Sequence, residues 1–242
     1  MPNPTAAMIV IGDEILSGRT RDANMYHLAG KLTEKGVSLQ EVRVVSDESP
    51  AIIEAVNTLR GRVDHVFTSG GIGPTHDDIT ADAVAEAFGV GIDVRADARS
   101  ILEEHYTRNG QALTEARLRM ARIPEGALLI DNPISAAPGF SLGNVHVMAG
   151  VPAIFEAMLE SVLSLVTGGT PLTSVTVRVD RGEGDLAGPL SEIARTHGDV
   201  SLGSYPFQKD GRYGSNIVIR GTNESRVASV ASEVRAAFDV RH

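Results

Sequence analysis

Apolar residues fall along this chain in two rhythms. Short continuous runs alternate with stretches whose apolar positions recur every three or four residues. AMIVI, residues 7–11, is the first continuous run and predicts a buried strand. In NMYHLAGKLTEKG, Met25, Leu28, Ala29 and Leu32 fall at helical spacing, and Gly36 closes the predicted helix. LQEVRVV alternates as a strand, and Ile52, Ile53, Val56 and Leu59 share one face of a second helix. VDHVFTS is a third strand that runs straight into Gly70 and Gly71, and ADAVAEAFG is a helix stopped by a glycine. Strand and helix alternating in this way predict a parallel sheet wrapped by helices.

Residues 97–122 read as two further helices broken near Asn109-Gly110. IPEGALLIDNP, APGFSL and NVHVMAG read as short strands, and Pro152 opens a long apolar helix. TGGTP, residues 167–171, is the linker candidate. Beyond it SVTVRVD alternates as a half-exposed strand, LAGPLSEIARTHG is a helix, VSLGSYPF and SNIVIRG are strands, and SRVASVASEVRAAF is a helix. The expected architecture is a three-layer α/β/α sandwich over residues 1–168, with a mostly parallel sheet. A small two-layer βαββα domain follows over residues 169–242.

Composition narrows the class. Apolar residues make up 42% of the 242, enough for a sizeable core, but only 4% are aromatic and there is no tryptophan. A core of Ala, Val, Ile and Leu suits strands buried on both faces. The net charge of −9 and the lack of a basic run disfavour a nucleic-acid partner, which needs a positive stripe to neutralise phosphates. With no cysteine there is no disulfide, thiolate zinc site or cysteine nucleophile. The first residues carry no basic segment ahead of the apolar run, so they do not read as a signal peptide. No apolar stretch reaches the ~20 residues of a membrane span. The expected location is the cytoplasm, with no membrane partner.

Two segments concentrate polar chemistry. GDEILSGRTRDAN follows the first strand, and GGIGPTHDDIT follows the third. In an open doubly wound sheet, ligands bind outside the carboxyl ends of the strands, so both segments are expected on one edge. Gly71-Ile72-Gly73-Pro74 lacks the third glycine of a dinucleotide fingerprint, and the Walker, Gly-x-Ser-x-Gly and His-Glu-x-x-His patterns are absent. What remains is a phosphate-bearing ligand with a hard cation. Amides around Gly70, Gly71 and Gly73 would cradle phosphate oxygens. Asp13, Glu14, Asp77 and Asp78 would repel them unless Mg²⁺ bridged the two. Asn24 and Ser69 are neutral groups able to fix a ring or a ribose.

Plainer readings stand beside these. Gly70 and Gly71 can simply turn the chain, and Asp13 and Glu14 can be ordinary loop charges. Either Asp78 or Thr80 can cap the helix that follows, with Asp82 facing its dipole. Asp77 is then the surplus carboxylate. His76 reads as an exposed loop residue rather than a base.

GDEILSGRTRDAN resembles the first motif of the molybdopterin-binding superfamily, which includes the MoaB/Mog-type proteins and the amino-terminal domain of CinA. GGIGPTHDDIT resembles the CinA version of its Gly-Gly loop. RMARIPEGALLIDNPISAAPGF and VMAGVPAIFEAM resemble later CinA-like segments, so the resemblance runs over residues 6–166. Two departures are Asp13, where CinA-like chains more often have threonine, and Ala149, where a proline more often precedes the glycine. No segment resembles the amidase domain of full CinA proteins, so that activity is not carried over.

Residue by residue, the resemblance assigns Gly12, Asp13, Glu14, Ser17, Gly18 and Asn24 to the first motif. Gly70, Gly71, Gly73, Pro74, Thr75, Asp77, Asp78 and Thr80 fall in the loop. Asn132, Pro133, Ala137, Pro138, Gly139, Gly150, Val151 and Pro152 fall in the later segments. It implies a homo-oligomer, a dimer favoured, with a pocket for molybdopterin or a related phosphorylated ligand. Some members of this fold are thought to hydrolyse diphosphates such as ADP-ribose or FAD with Mg²⁺ and K⁺. Glu14, Asp77 and Asp78 are the residues expected to hold metal or orient water. A non-catalytic binding or carrier module in molybdenum cofactor biosynthesis is the alternative.

Overall fold

Thr5–Ile11 forms the first strand, β1, buried at every position after Thr5 because helices cover both of its faces. The computed structural model describes residues 3–209 and 211–240. It divides into two units, the first ending at Gly169 and the second beginning at Thr170. After β1 the first unit runs α1 (Asp13–Leu16), α2 (Asn24–Glu34), β2 (Ser38–Val45), α3 (Ser49–Arg60), β3 (His65–Ser69) and α4 (Thr80–Phe88). It continues through β4 (Ile92–Val94), α5 (Ala96–Arg108), α6 (Glu115–Leu118), β5 (Arg122–Pro124) and β6 (Leu128–Ile130). β7 (Gly139–Leu142), β8 (Val145–Met148) and α7 (Pro152–Leu163) complete it.

The main sheet has the order β2-β1-β3-β8-β7-β6. Its first four strands are parallel, while β7 is antiparallel to both of its neighbours. Alternation along β1 builds the three layers. Ala7, Ile9 and Ile11 join the core under α3, α4 and α5, with Ile52, Val56, Val84 and Leu102. Ala6, Met8 and Val10 join the opposite core with Leu28 and Leu32 of α2 and Phe155, Met158 and Leu159 of α7. The β1–β2 connection thus passes over one face and the β2–β3 connection over the other. The chain reverses its winding direction between β1 and β3, where such sheets open a crevice at their carboxyl edge.

Local signals explain where elements stop. Gly89 ends α4 in the left-handed conformation, φ 67°, and its N–H bonds back to the last turn. Pro152 begins α7, where its missing N–H is not needed. The helical stretch 97–122 breaks at Asn109-Gly110 as the pattern predicts. One pairing differs from the expected layout: β5 leaves the main sheet and forms a ribbon with β4. A three-residue strand carries too few positions to show a period.

The second unit contains β9 (Thr173–Val179), α8 (Glu183–Thr196), β10 (Ser201–Lys209), β11 (Arg212–Gly221) and α9 (Glu224–Ala237). Its antiparallel sheet, β10-β11-β9, buries Val177, Val179, Ile217 and Ile219 against Leu186 and Ile193 of α8 and Val227, Val230 and Val234 of α9. Opposite positions on β9 remain exposed, as the alternation predicts. Among the described residues, no helix is long and apolar enough to cross a membrane.

A polar chain interrupts the first unit's sheet. His146 Nδ1 lies 2.8 Å from Ser141 Oγ, and its Nε2 lies 3.2 Å from His65 Nδ1. Burial pushes the His146 imidazole down to about 4 and lowers His65 as well. As pH falls below the ordinary histidine value, ~6.5, the unfolded chain takes up protons that the folded chain refuses until about 4. Stability is therefore intact above that upper value and lost between it and the lower one, by on the order of 3 kcal/mol for His146. Urea unfolding between pH 7 and 4 should show this slope, and His146→Asn should flatten it.

Candidate functional site

The four parallel strands end level with one another. Ile11 pairs with Val45, Val10 with Ser69, and Ser69 with Met148. Four loops therefore leave the same sheet edge: Gly12 to Glu14, Ser46 to Glu48, Gly70 to Ile79, and Ala149 to Val151. They surround a crevice of about 670 Å³.

Glycine is required where these loops touch. Gly70 has φ 110°, and a Cβ there would stand 2.2 Å from the Ile11 carbonyl oxygen. Gly150 packs on it, with only 3.2 Å between its own Cβ position and the Gly70 Cα. Gly71 has φ 67°, and a Cβ there would strike the Thr80 hydroxyl at 2.1 Å. Thr80, fully buried, donates its hydroxyl to the Gly70 carbonyl and its N–H to the Gly71 carbonyl. It anchors the loop, while Ile79 holds the cap position of α4 without a side-chain cap. Neither Asp78 nor Thr80 caps that helix, because both side chains are turned back into the loop. Asp78 accepts the Thr75 N–H at 2.8 Å and the Thr75 hydroxyl at 2.5 Å.

Glu14, Gly70, Gly71, Gly73, Pro74, Asp77, Asp78, Asn132, Gly150, Val151 and Pro152 line the crevice. A neighbouring hollow of about 50 Å³ adds Asn24 and Ser69. Asn24 donates to Ser69 Oγ at 2.6 Å and to the Gly150 carbonyl at 2.8 Å. Only the amide nitrogen can face that carbonyl, so Oδ1 is left buried without a partner. Asn132 is spent within its own loop. Its oxygen accepts from Ile134 and Ser135, and its nitrogen donates to Ser135 Oγ and the Ala137 carbonyl. Pro138 borders a separate small cavity behind Asp78.

Gly12, Asp13, Ser17, Gly18, Thr75 and Gly139 do not line these cavities. Gly12 bonds to the Val45 carbonyl, Asp13 donates its N–H to Asp47, and Ser17 and Gly18 end α1. Gly139 lies against the Val147 carbonyl inside the core. These positions shape the loops from behind.

The structure adds a carboxylate the motifs do not mark. Asp47, just beyond β2, lines the crevice and accepts the Asp13 N–H at 2.9 Å. Burial raises its carboxyl above the usual range, and the nearby charges of Asp13, Glu14 and Asp77 push the same way, against the hydrogen bond from Asp13. Its position at a third parallel carboxyl end was the available signal. Asp77 is exposed and held below the usual range chiefly by the Thr75 hydroxyl, which stands beside it as well. His76 is almost wholly exposed.

Glu14, Asp47, Asp77 and Asp78 therefore face one crevice whose described lining contains no Lys, Arg or His. Such a set of hard oxygen donors fits a divalent cation. Among the described residues, no three metal-binding side chains converge to hold one unaided. The fit is to a cation held by one or two carboxylates and completed by ligand oxygens, the usual habit of Mg²⁺. Ile72, Met120 and Tyr106, packed against the same core, form an apolar wall that suits a flat ring, while Ala149 and Ile154 line the crevice from the opposite core.

Residues 7–170 match the family described as a probable molybdopterin binding domain, and residues 171–242 match the description FAD synthase, middle domain. A protein of Aeropyrum pernix is 35% identical over 213 residues, covering 84% of this chain and 80% of its own length. One of Pyrobaculum calidifontis is 37% identical over 214 residues, covering 84% and 81%. The crystal structure of CinA from Thermoplasma acidophilum, whose function is given as unknown, is 34% identical. It covers 66% of this chain and 97% of its own, with a TM-score of 0.61.

Gly70→Ala should be among the most damaging single changes in the first unit. The added methyl meets backbone, which cannot swing aside as a side chain can. A loss of about 2–3 kcal/mol or more is expected. Urea unfolding measures it, with Gly61→Ala, where a Cβ meets nothing, as the tolerated comparison.

Proposed function

This chain belongs to the probable molybdopterin binding domain family, and from that premise we propose that it binds a phosphorylated pterin or nucleotide and hydrolyses a diphosphate such as ADP-ribose or FAD. One observation carries the reading. Four carboxylates and the glycine-rich loop share a crevice whose described lining has no basic side chain. Backbone N–H groups of the loop suit phosphate oxygens. The carboxylates demand a cation between themselves and that phosphate.

Glu14 and Asp77 are the residues we assign to the cation, with Asp47 behind them. Asp78 is bound to Thr75 and serves to hold the loop. Mg²⁺, when bound, would draw charge from the phosphoryl oxygens, with K⁺ as a second cation. The chain's own groups do the rest. The Gly70 N–H is spent on the Met148 carbonyl, so the Gly71 and Gly73 amides orient the diphosphate and stabilise charge on it. Of Glu14 and Asp77, the carboxylate that the cation leaves free orients water and takes its proton. The water oxygen bonds to one phosphorus, the bridging P–O bond breaks, and two monophosphates leave. The apolar wall with Tyr106 suits the ring of the ligand.

A second reading has its own observation. Because no three metal-binding side chains among the described residues converge on a metal position, the crevice also suits a module that retains a molybdopterin-type ligand without cleaving it.

Incubation of the full chain with ADP-ribose and with FAD, in Mg²⁺ and K⁺, separates the two. Hydrolysis is expected to release AMP. Asp77→Asn should lower turnover about 10- to 100-fold while leaving thermal stability unchanged. Asp78→Ala should lower turnover and stability together, since it frees the Thr75 loop. Calorimetric binding without AMP release would favour the retaining module, and absence of both binding and release would end the crevice reading.

A further inference from the structure

Tyr106 is the one aromatic ring among the described residues that line the crevice. It belongs to none of the four strand-end loops. It comes from the last turns of α5, just before the chain bends at Asn109-Gly110. The chain folds back there through a hydrogen bond from the Gln111 N–H to the Tyr106 carbonyl.

The ring is held in place by its neighbours. The Arg117 guanidinium lies 4.3 Å from its centroid. Arg117 is itself pinned, donating its side chain to the Ala112 carbonyl at 2.7 Å and its N–H to Thr114 Oγ1 at 3.3 Å. His105 abuts the ring at 86°, centroids 5.4 Å apart. A ring fixed in this way loses little freedom when a ligand settles on it. Its companions on the crevice wall are Met120 and Ile72, both apolar. The four carboxylates come from the strand-end loops. The crevice therefore has a flat apolar surface as well as an acidic, cation-demanding one.

We propose that Tyr106 is the stacking platform for a flat heteroaromatic base, so that the crevice selects base-bearing phosphate esters over sugar phosphates. This rests on the reading of the crevice as a site for a phosphorylated ligand. Tyr106 is then a specificity-determining residue, and Arg117 positions it.

AMP and ribose 5-phosphate test this directly. They carry the same phosphate on the same ribose and differ only in the base. Calorimetric titration in Mg²⁺ should give AMP the tighter binding to the full chain. Tyr106→Ala should weaken AMP about tenfold and leave ribose 5-phosphate within about twofold. Tyr106→Phe should keep the AMP affinity, because the ring face and not the hydroxyl carries it. Tyr106→Leu, which keeps apolar volume at this half-buried position, should reproduce the loss and serves if the alanine variant does not fold. Equal binding of AMP and ribose 5-phosphate to the wild type, or AMP binding unchanged in Tyr106→Leu, would overturn the assignment and leave the phosphate site standing. If neither ligand binds the wild type, the phosphate site falls and this assignment falls with it.

Discussion

Everything at the sheet's carboxyl edge depends on how closely three backbones approach one another. Gly70 lies so near the Ile11 carbonyl that a Cβ would overlap it, and Gly150 packs onto Gly70 from the next strand. This contact brings the ends of β1, β3 and β8 together before any side chain is considered. Thr80 then ties the loop down through two hydrogen bonds to Gly70 and Gly71. The Gly70 N–H is spent on the Met148 carbonyl in this floor, so the amides left for a phosphate are those of Gly71 and Gly73.

Around that floor the fold collects like charge. Glu14, Asp47, Asp77 and Asp78 reach the crevice from three separate segments, and Asp47, chiefly through burial and then through the nearby charges, has its carboxyl raised. Four like charges in one crevice repel one another, so folding alone would not favour the arrangement. The cost falls when a cation enters. Some carboxylates have structural duties, whether or not they face the crevice. Asp78 staples Thr75, and Asp82 pairs with Arg122. Residues adjacent in sequence thus serve different ends. Asp78 builds the loop, and Asp77 is left facing outward.

Much of the fold is legible along the chain because its signals are local. α2, α3 and α4 show helical spacing with a glycine close behind, and AMIVI could be little other than a buried strand; the four-residue α1 is too short to show a period. The convergence of GDEILSGRTRDAN and GGIGPTHDDIT follows from one assumption, that β1 and β3 are parallel. Less accessible was the division of labour within those motifs. Gly139, Ser17 and Asn132 belong to motif segments, yet the first packs a strand, the second ends a short helix, and the third spends its amide on its own loop. A motif records that a residue type is needed and does not say whether the need is packing or contact.

What the sequence determined by itself was the α/β class, the alternation of strands and helices, and which polar segments follow β1 and β3. Hydrophobic period, glycine stops and loop composition act over a few residues, so they can be read without coordinates. What only the tertiary structure decided was which distant residues share the crevice. Asp47 follows an exposed edge strand with no motif around it, and Tyr106 sits on a polar helix 28 residues beyond Asp78. Strand order and the packing of α5 on the core bring them in. Those are long-range outcomes of packing, set by which faces bury against which, and no local pattern encodes them.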